Sequence, residues 1–319
     1  MLNILVFLIN AFPNHVPIVA SSSDAFSWQH DIVSYNHILE KKNLSFVSTC
    51  HLFEDLWNEM PQPIFWQQVM SLSPEFLLIN VASNRNILGK ISQKNWSQLT
   101  TDQKYAFKDS VKVAHGIASE EIIFMTSGKN HFYRFNDVLP QISRGVDVFA
   151  GNSVDPWYAQ AILLIESPGQ LAKSTAGAYG PFQLMKGVAI NQGLTVNISI
   201  DERADFDRSA WAASQLLKRI CIPEARNILA ARNIAVQETD LWFRLFVMHI
   251  YHAGAGNVAK VVDAINPSAG GKELIQKMWQ TKAGGFGNAS QNYTQIVLAA
   301  LLTLDKMLHE SNALVLAAH

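Results

Sequence analysis

The sequence predicts a mainly α-helical protein, with one small β-hairpin as the exception. Three observations carry that expectation. Apolar residues recur at helical spacing in segment after segment. These segments open on Asp, Thr or Pro and close on Gly or Pro, the residues that start and stop helices. The one paired strand signal is 122–126 and 131–135, flanking Ser127-Gly128-Lys129-Asn130. At 319 residues the chain is long enough for one large domain or two smaller ones, with ample apolar content for a core.

Residues 2–12 are apolar apart from Asn3 and Asn10, and Pro13, Pro17 and Ala20-Ser21-Ser22-Ser23 follow. The run is too short to span a bilayer. An apolar core leading to small residues has the form of a secretory signal peptide, here residues 1–22, although no Lys or Arg precedes it. An opening strand or buried helix of the fold is the alternative. No Cys follows the cleavage region, so no lipid anchor is expected, and no later segment reads as transmembrane.

Residues 23–150 read as a mostly helical region without recognisable chemistry. Asp24 caps a helix to Lys41, with Phe26, Ile32, Ile38 and Leu39 on its buried side. Gln62-Pro63 opens a second, and Pro74 a third through Leu77, Leu78 and Val81. Thr100-Thr101-Asp102-Gln103 starts a fourth, with Phe107, Val111 and Ala114 as its apolar set. The aromatics Trp28, Trp57, Trp66, Trp96, Phe132 and Tyr133 read as core rather than as sugar-stacking platforms.

Residues 155–185 organise the rest. Asp155-Pro156 is a helix start, with Asp accepting from free amide groups and Pro pre-set for the first turn. Ala161 to Ile165 make the helix apolar nearly all round, which predicts burial. Its last turn delivers Glu166, just before Ser167-Pro168-Gly169 halts the helix. The negative end of the helix dipole and an apolar surround both favour the protonated acid. A carboxylic acid kept protonated near neutral pH suits a glycosidic leaving oxygen as proton donor. Gly180-Pro181 then reads as the cap and first residue of a new helix, with Gln183 in its first turn.

Further on, 201–207 is an acidic connector whose Asp205 or Asp207 caps a helix through Leu217 that ends before Pro223. Thr239 opens an apolar helix, 241–253, stopped by Gly254. Asn288 or Ser290 starts the last helix, running to about Leu308. His249 and His252 have the spacing of a two-His metal site, but no third ligand is in view and no metal or other cofactor is expected. The net charge of −1 gives no reason to expect a nucleic acid as partner. Two distant cysteines, Cys50 and Cys221, exclude a cysteine-built zinc site; in an oxidising compartment they could bridge, and two separate thiols are the alternative.

Three motifs stand in order: Glu166-Ser167 followed by Ser174, Gly177-Ala178-Tyr179-Gly180 and Phe182-Gln183-Leu184-Met185; Tyr251-His252-Ala253-Gly254-Ala255-Gly256-Asn257-Val258; and Tyr293 near the start of the final helix. Together they resemble the SLT-type lytic transglycosylases, relatives of goose-type lysozyme, over about residues 154–308. This chain departs from the pattern in a segment one residue shorter between Glu166 and Ser174, and in His252 where Asn is typical. The resemblance implies a lysozyme-like helical catalytic domain over 151–319, periplasmic or secreted, acting on peptidoglycan glycan strands. It implies Glu166 as acid and then base. It also implies Ser174 and Gln183 as sugar-holding residues, Met185 and Tyr251 as lining, and Tyr293 closing the cleft. A hydrolytic muramidase and a non-catalytic cell-wall-binding protein are the alternatives.

Overall fold

Two antiparallel three-stranded sheets lie in the first half of the chain, and the second half is helical, so the protein as a whole is mainly α. The structure, a computed structural model, describes residues 7–9, 31–37, 42–166, 171 and 173–317. The first sheet orders β1 (Phe7–Ile9), β2 (Ile32–His37) and β3 (Lys42–Val47) side by side. This corrects the helix expected from Asp24 to Lys41, whose remaining residues lie outside the described set. Ile32-Val33 and Tyr35 are β-branched and aromatic, and they pair with an alternating partner in which Leu44 and Phe46 are buried. The candidate leader falls outside the described residues except for the three of β1.

The second sheet has the order β5-β4-β6. Before it come α1 (His51–Glu54), a 3₁₀ turn at Trp57–Glu59, and α2 (Pro61–Ser71), which opens as expected on prolines. Then β4 (Phe76–Val81) replaces the helix expected after Pro74. Six residues of which Leu77 to Val81 are all buried suit a central strand, and the run is too short for a helix to bury on every side. Next follow β5 (Ile87–Ser92), α3 (Gln93–Gln98), α4 (Thr101–Ala114) and β6 (Ile123–Ser127). Thr100 and Gln103 form a complete capping box at α4. The expected hairpin is half right: β6 forms, but it pairs with β4 rather than with 131–135. The Gly128, Lys129 and Asn130 amides donate to Phe76, Val69 and Leu72 carbonyls, which ties the turn to α2. A Cβ on Gly128 would lie 2.3 Å from the Leu72 carbonyl oxygen, so only glycine allows this approach.

The chain continues through α5 (Phe135–Gly151), α6 (Trp157–Ile165), α7 (Lys186–Asn191) and α8 (Phe206–Leu216). A π-helical turn, Leu217–Cys221, joins α8 to α9 (Ile222–Ala230), so the helix does not end before Pro223. Pro223 lies in the first turn of α9, directly after the π-helical turn, where the helical bonding pattern changes. Last come α10 (Leu241–Ala253), α11 (Ala255–Ile265), α12 (Lys272–Gln280) and α13 (Asn288–Ala317), the last running past Leu308. No helix among the described residues is long and apolar enough to cross a membrane. Cys50 is exposed, Cys221 is buried, and both are free thiols, so the bridge is not formed.

One hydrophobic core runs from Leu44 to Leu308, across the boundary at residue 150, and α6 lies at its centre with every residue buried. Gln160 on α6 completes the edge of β3: its Oε1 accepts from Val47 N and its Nε2 donates to Val47 O, both at 2.9 Å. At the start of α6, Asp155 Oδ1 accepts from Trp157 N, while its Oδ2 accepts from Arg244 Nε at 2.7 Å. Arg244, fully buried on α10, also donates to Asp31 Oδ2 at 3.1 Å. Replacing Arg244 by Met strands Asp155 in the core and is expected to cost about 3–5 kcal/mol, the usual penalty for breaking a buried pair. A urea-unfolding midpoint equal to that of the wild type would contradict this role for Arg244.

Candidate active site

Because α6 is clamped at its start and enclosed along its length, the position of its C-terminal end is fixed. There the Glu166 amide donates to Ile162 O at 2.9 Å, closing the last turn and leaving the partly buried side chain beyond it. Tyr293, in the second turn of α13, donates its hydroxyl to Glu166 Oε1 at 2.7 Å. The His252 ring stacks on the Tyr293 ring, with centroids 4.2 Å apart and planes 21° from parallel. His252 stands in the last turn of α10, which Gly254 ends at φ 80°. Next to it, the Tyr251 hydroxyl donates to Phe182 O at 2.7 Å and ties α10 to the glycine-rich turn.

That turn is not the helix start expected at Gly180-Pro181. Gly180 has φ 85° and Gln183 φ 46°, and Tyr179 bridges to Leu184, so the chain doubles back before α7 begins at Lys186. A Cβ on Gly180 would lie 1.8 Å from the Arg203 carbonyl oxygen, which explains the glycine. Arg203, buried, braces the loop: its Nη1 donates to the carbonyls of Gly177 and Leu184, each at 3.0 Å. Its Nε and Nη2 reach Asp201 at 2.9 and 2.7 Å.

Burial pushes the Glu166 carboxyl up to about 7, against the opposing pull of the Tyr293 hydroxyl. The charge of Glu166 in turn helps burial to raise Tyr133, Tyr251 and Tyr293. Three phenols thus lie within reach of the Glu166 charge. Burial holds His252 below its usual value, which favours the neutral ring against Tyr293. His249 is pushed down to about 3 by burial and by His252; its Nε2 meets Thr294 Oγ1 at 2.9 Å. It is a core histidine, fully buried and bonded to Thr294. The one three-ligand group at metal-binding separations among the described residues, Cys50, His51 and Glu54, is at α1 and not here.

The structure therefore brings Glu166 and Tyr293 into direct contact, and holds Tyr251 beside them through Phe182. In the loop, Ser174 Oγ accepts from Ala178 N, and Gln183 Nε2 donates to Gly180 O, both at 3.0 Å. Met185, 44% exposed, presents its side chain at the surface beside them. The acidic connector is taken up structurally: Asp205 caps α8, Glu202 pairs with Arg208, and Asp207 pairs with Arg144. Sequence reasoning missed Arg203 as the brace of the loop and His252 as the support of Tyr293. It also assigned Tyr133 to the core without placing it near Glu166. The sequence matches no family profile and no curated protein.

Tyr293→Phe removes a hydrogen bond that stabilises the Glu166 carboxylate. The Glu166 pKa is expected to rise further above 7, because a bond to the charged form favours that form. Carbon-13 NMR titration of labelled glutamate reads this directly; an unchanged or lowered value would mean that the hydroxyl does not govern the acid.

Proposed function

We propose that this chain is a peptidoglycan lytic transglycosylase whose single acid, Glu166, works first as donor and then as base. The observation that carries the reading is a glutamate held near pKa 7 at an apolar helix end, bonded to Tyr293 and the only carboxylate within the three motifs. Glycosidases that use two carboxylates set a second acid across the scissile bond. The three motifs add to this, since Glu166 and Tyr293 come from two of them. On this reading 151–319 is the lysozyme-like catalytic domain, and the protein is exported to where peptidoglycan lies.

Glu166 gives its proton to the oxygen between N-acetylmuramic acid and N-acetylglucosamine, and that C–O bond breaks. The substrate's acetamido oxygen supports the positive charge at C1. The Tyr293 hydroxyl, still donating at 2.7 Å, steadies the carboxylate that Glu166 has become. Glu166 then takes the proton of the muramyl C6 hydroxyl, whose oxygen closes on C1 to form a 1,6-anhydro ring. No water is consumed and Glu166 ends protonated. Met185 and Tyr251 line the sugar site, and Ser174 and Gln183 shape the loop that borders it.

Glu166→Gln is expected to lower muropeptide release from sacculi by about 10²–10⁴-fold with circular dichroism unchanged. The donor form is populated below about pH 7, so wild-type activity should fall as pH rises through that value. Products should carry 1,6-anhydro ends, lighter by one water than hydrolytic products. Mass spectra dominated by reducing ends would select a hydrolytic muramidase instead, and absence of release would favour a binding protein.

A further inference from the structure

Among the described residues three arginines are buried: Arg85, Arg203 and Arg244. Arg203 and Arg244 each meet a carboxylate at 2.7 Å. Arg85 has no ion pair among the described residues. Its Nη1 donates to Asn80 Oδ1 at 3.2 Å and its Nη2 to Asn292 Oδ1 at 2.7 Å, both neutral acceptors. Three aromatic rings surround it, Phe65, Trp66 and Phe124, with centroids 5.3–5.9 Å from the guanidinium carbon. A guanidinium stays charged and offers five N–H donors, and a buried one without a counter-ion is unfavourable unless an anion is supplied. The backbone is also constrained to put it there. Arg85 has φ 65°, a left-handed conformation uncommon for a side-chain-bearing residue, in the turn between β4 and β5.

Arg85 forms part of the wall of a cavity of about 780 Å³, between this turn, the start of β6 and the α12–α13 junction. That size is within the range of small-ligand sites. Glu166 is not among its lining residues. Four lining amides, Asn288, Gln291, Asn292 and Gln295, recur at helical spacing along one face of α13, while Tyr293 points from another face to Glu166. The first turn of α13, at the positive end of its dipole, borders the cavity as well. The opposite charge is at the mouth. Glu120 is exposed, and Glu121, partly buried, accepts from Ser83 Oγ at 3.1 and 2.9 Å. Lys282 is exposed at the rim.

A plain anion would meet Arg85 but also the two glutamates. A ligand negative at one end, positive at the other and rich in amide groups between satisfies all three parts of the wall. We propose that this cavity binds a short peptide, with its free carboxylate against Arg85 and its amine towards Glu120 and Glu121. The site is separate from Glu166 and does not depend on the reaction there.

Titration calorimetry of the full chain tests this with tetra-alanine bearing free termini, its C-terminal amide and its N-acetyl form. The free peptide should bind, and amidation should weaken binding by about tenfold or more, the effect of losing a charge-assisted bond. N-acetylation and Glu121→Gln should each weaken it too. Glu166→Gln should bind the peptide as the wild type does. No binding at millimolar peptide, or equal affinity for acid and amide, would overturn the proposal, as would loss of binding in Glu166→Gln. Arg85→Gln should abolish the preference for acid over amide; if it fails to fold by circular dichroism, the three peptides on the wild-type protein decide the matter alone.

Discussion

An apolar helix that must be covered on every side is the constraint on which this structure depends. From Trp157 to Ile165 no residue of α6 reaches solvent freely, so neighbours have to close round the whole cylinder. They come from both halves of the chain. β3 docks through the reciprocal Gln160–Val47 bonds, α5 packs alongside, and α13 lies against it from the far end of the sequence. The Asp31–Arg244–Asp155 chain fixes the start of the helix. The first half is thus part of the casing that sets where Glu166 emerges.

The same enclosure sets the chemistry. Desolvation raises Glu166, and the Tyr293 hydroxyl pulls the other way without winning. That balance leaves an acid that is protonated at mildly acidic pH and is still able to release its proton. His252 contributes by shape rather than by charge: a neutral ring stacked on Tyr293 limits the angles its hydroxyl can take.

Local chemistry was legible in the sequence and long-range pairing was not. Asp155-Pro156, Thr100, Asp205 and Gly254 act on their immediate neighbours, and each does what its residue type predicts. The strands fail for the opposite reason. Whether Phe76 to Val81 becomes a strand depends on Ile123–Ser127, over forty residues away, and on a contact between Gly128 and Leu72 that leaves only a single glycine in the sequence. The Gly180 turn was misread similarly: Gly-Pro is a good helix opening, but the carbonyl of Arg203 presses against Gly180 and Arg203 holds the loop folded. Glu166 and Tyr293 each stand in a motif, but their contact joins residues 127 apart and so is a long-range pairing of the same kind.

The 30-residue α13, about 45 Å long, carries two consecutive residues with different duties. Asn292 holds Arg85 and Tyr293 holds Glu166. A helix transmits torsion well, so a few degrees of axial rotation cannot move one without moving the other. One rod thus places both contacts, and a substitution that shifts α13 as a body displaces the Asn292–Arg85 and Tyr293–Glu166 bonds together.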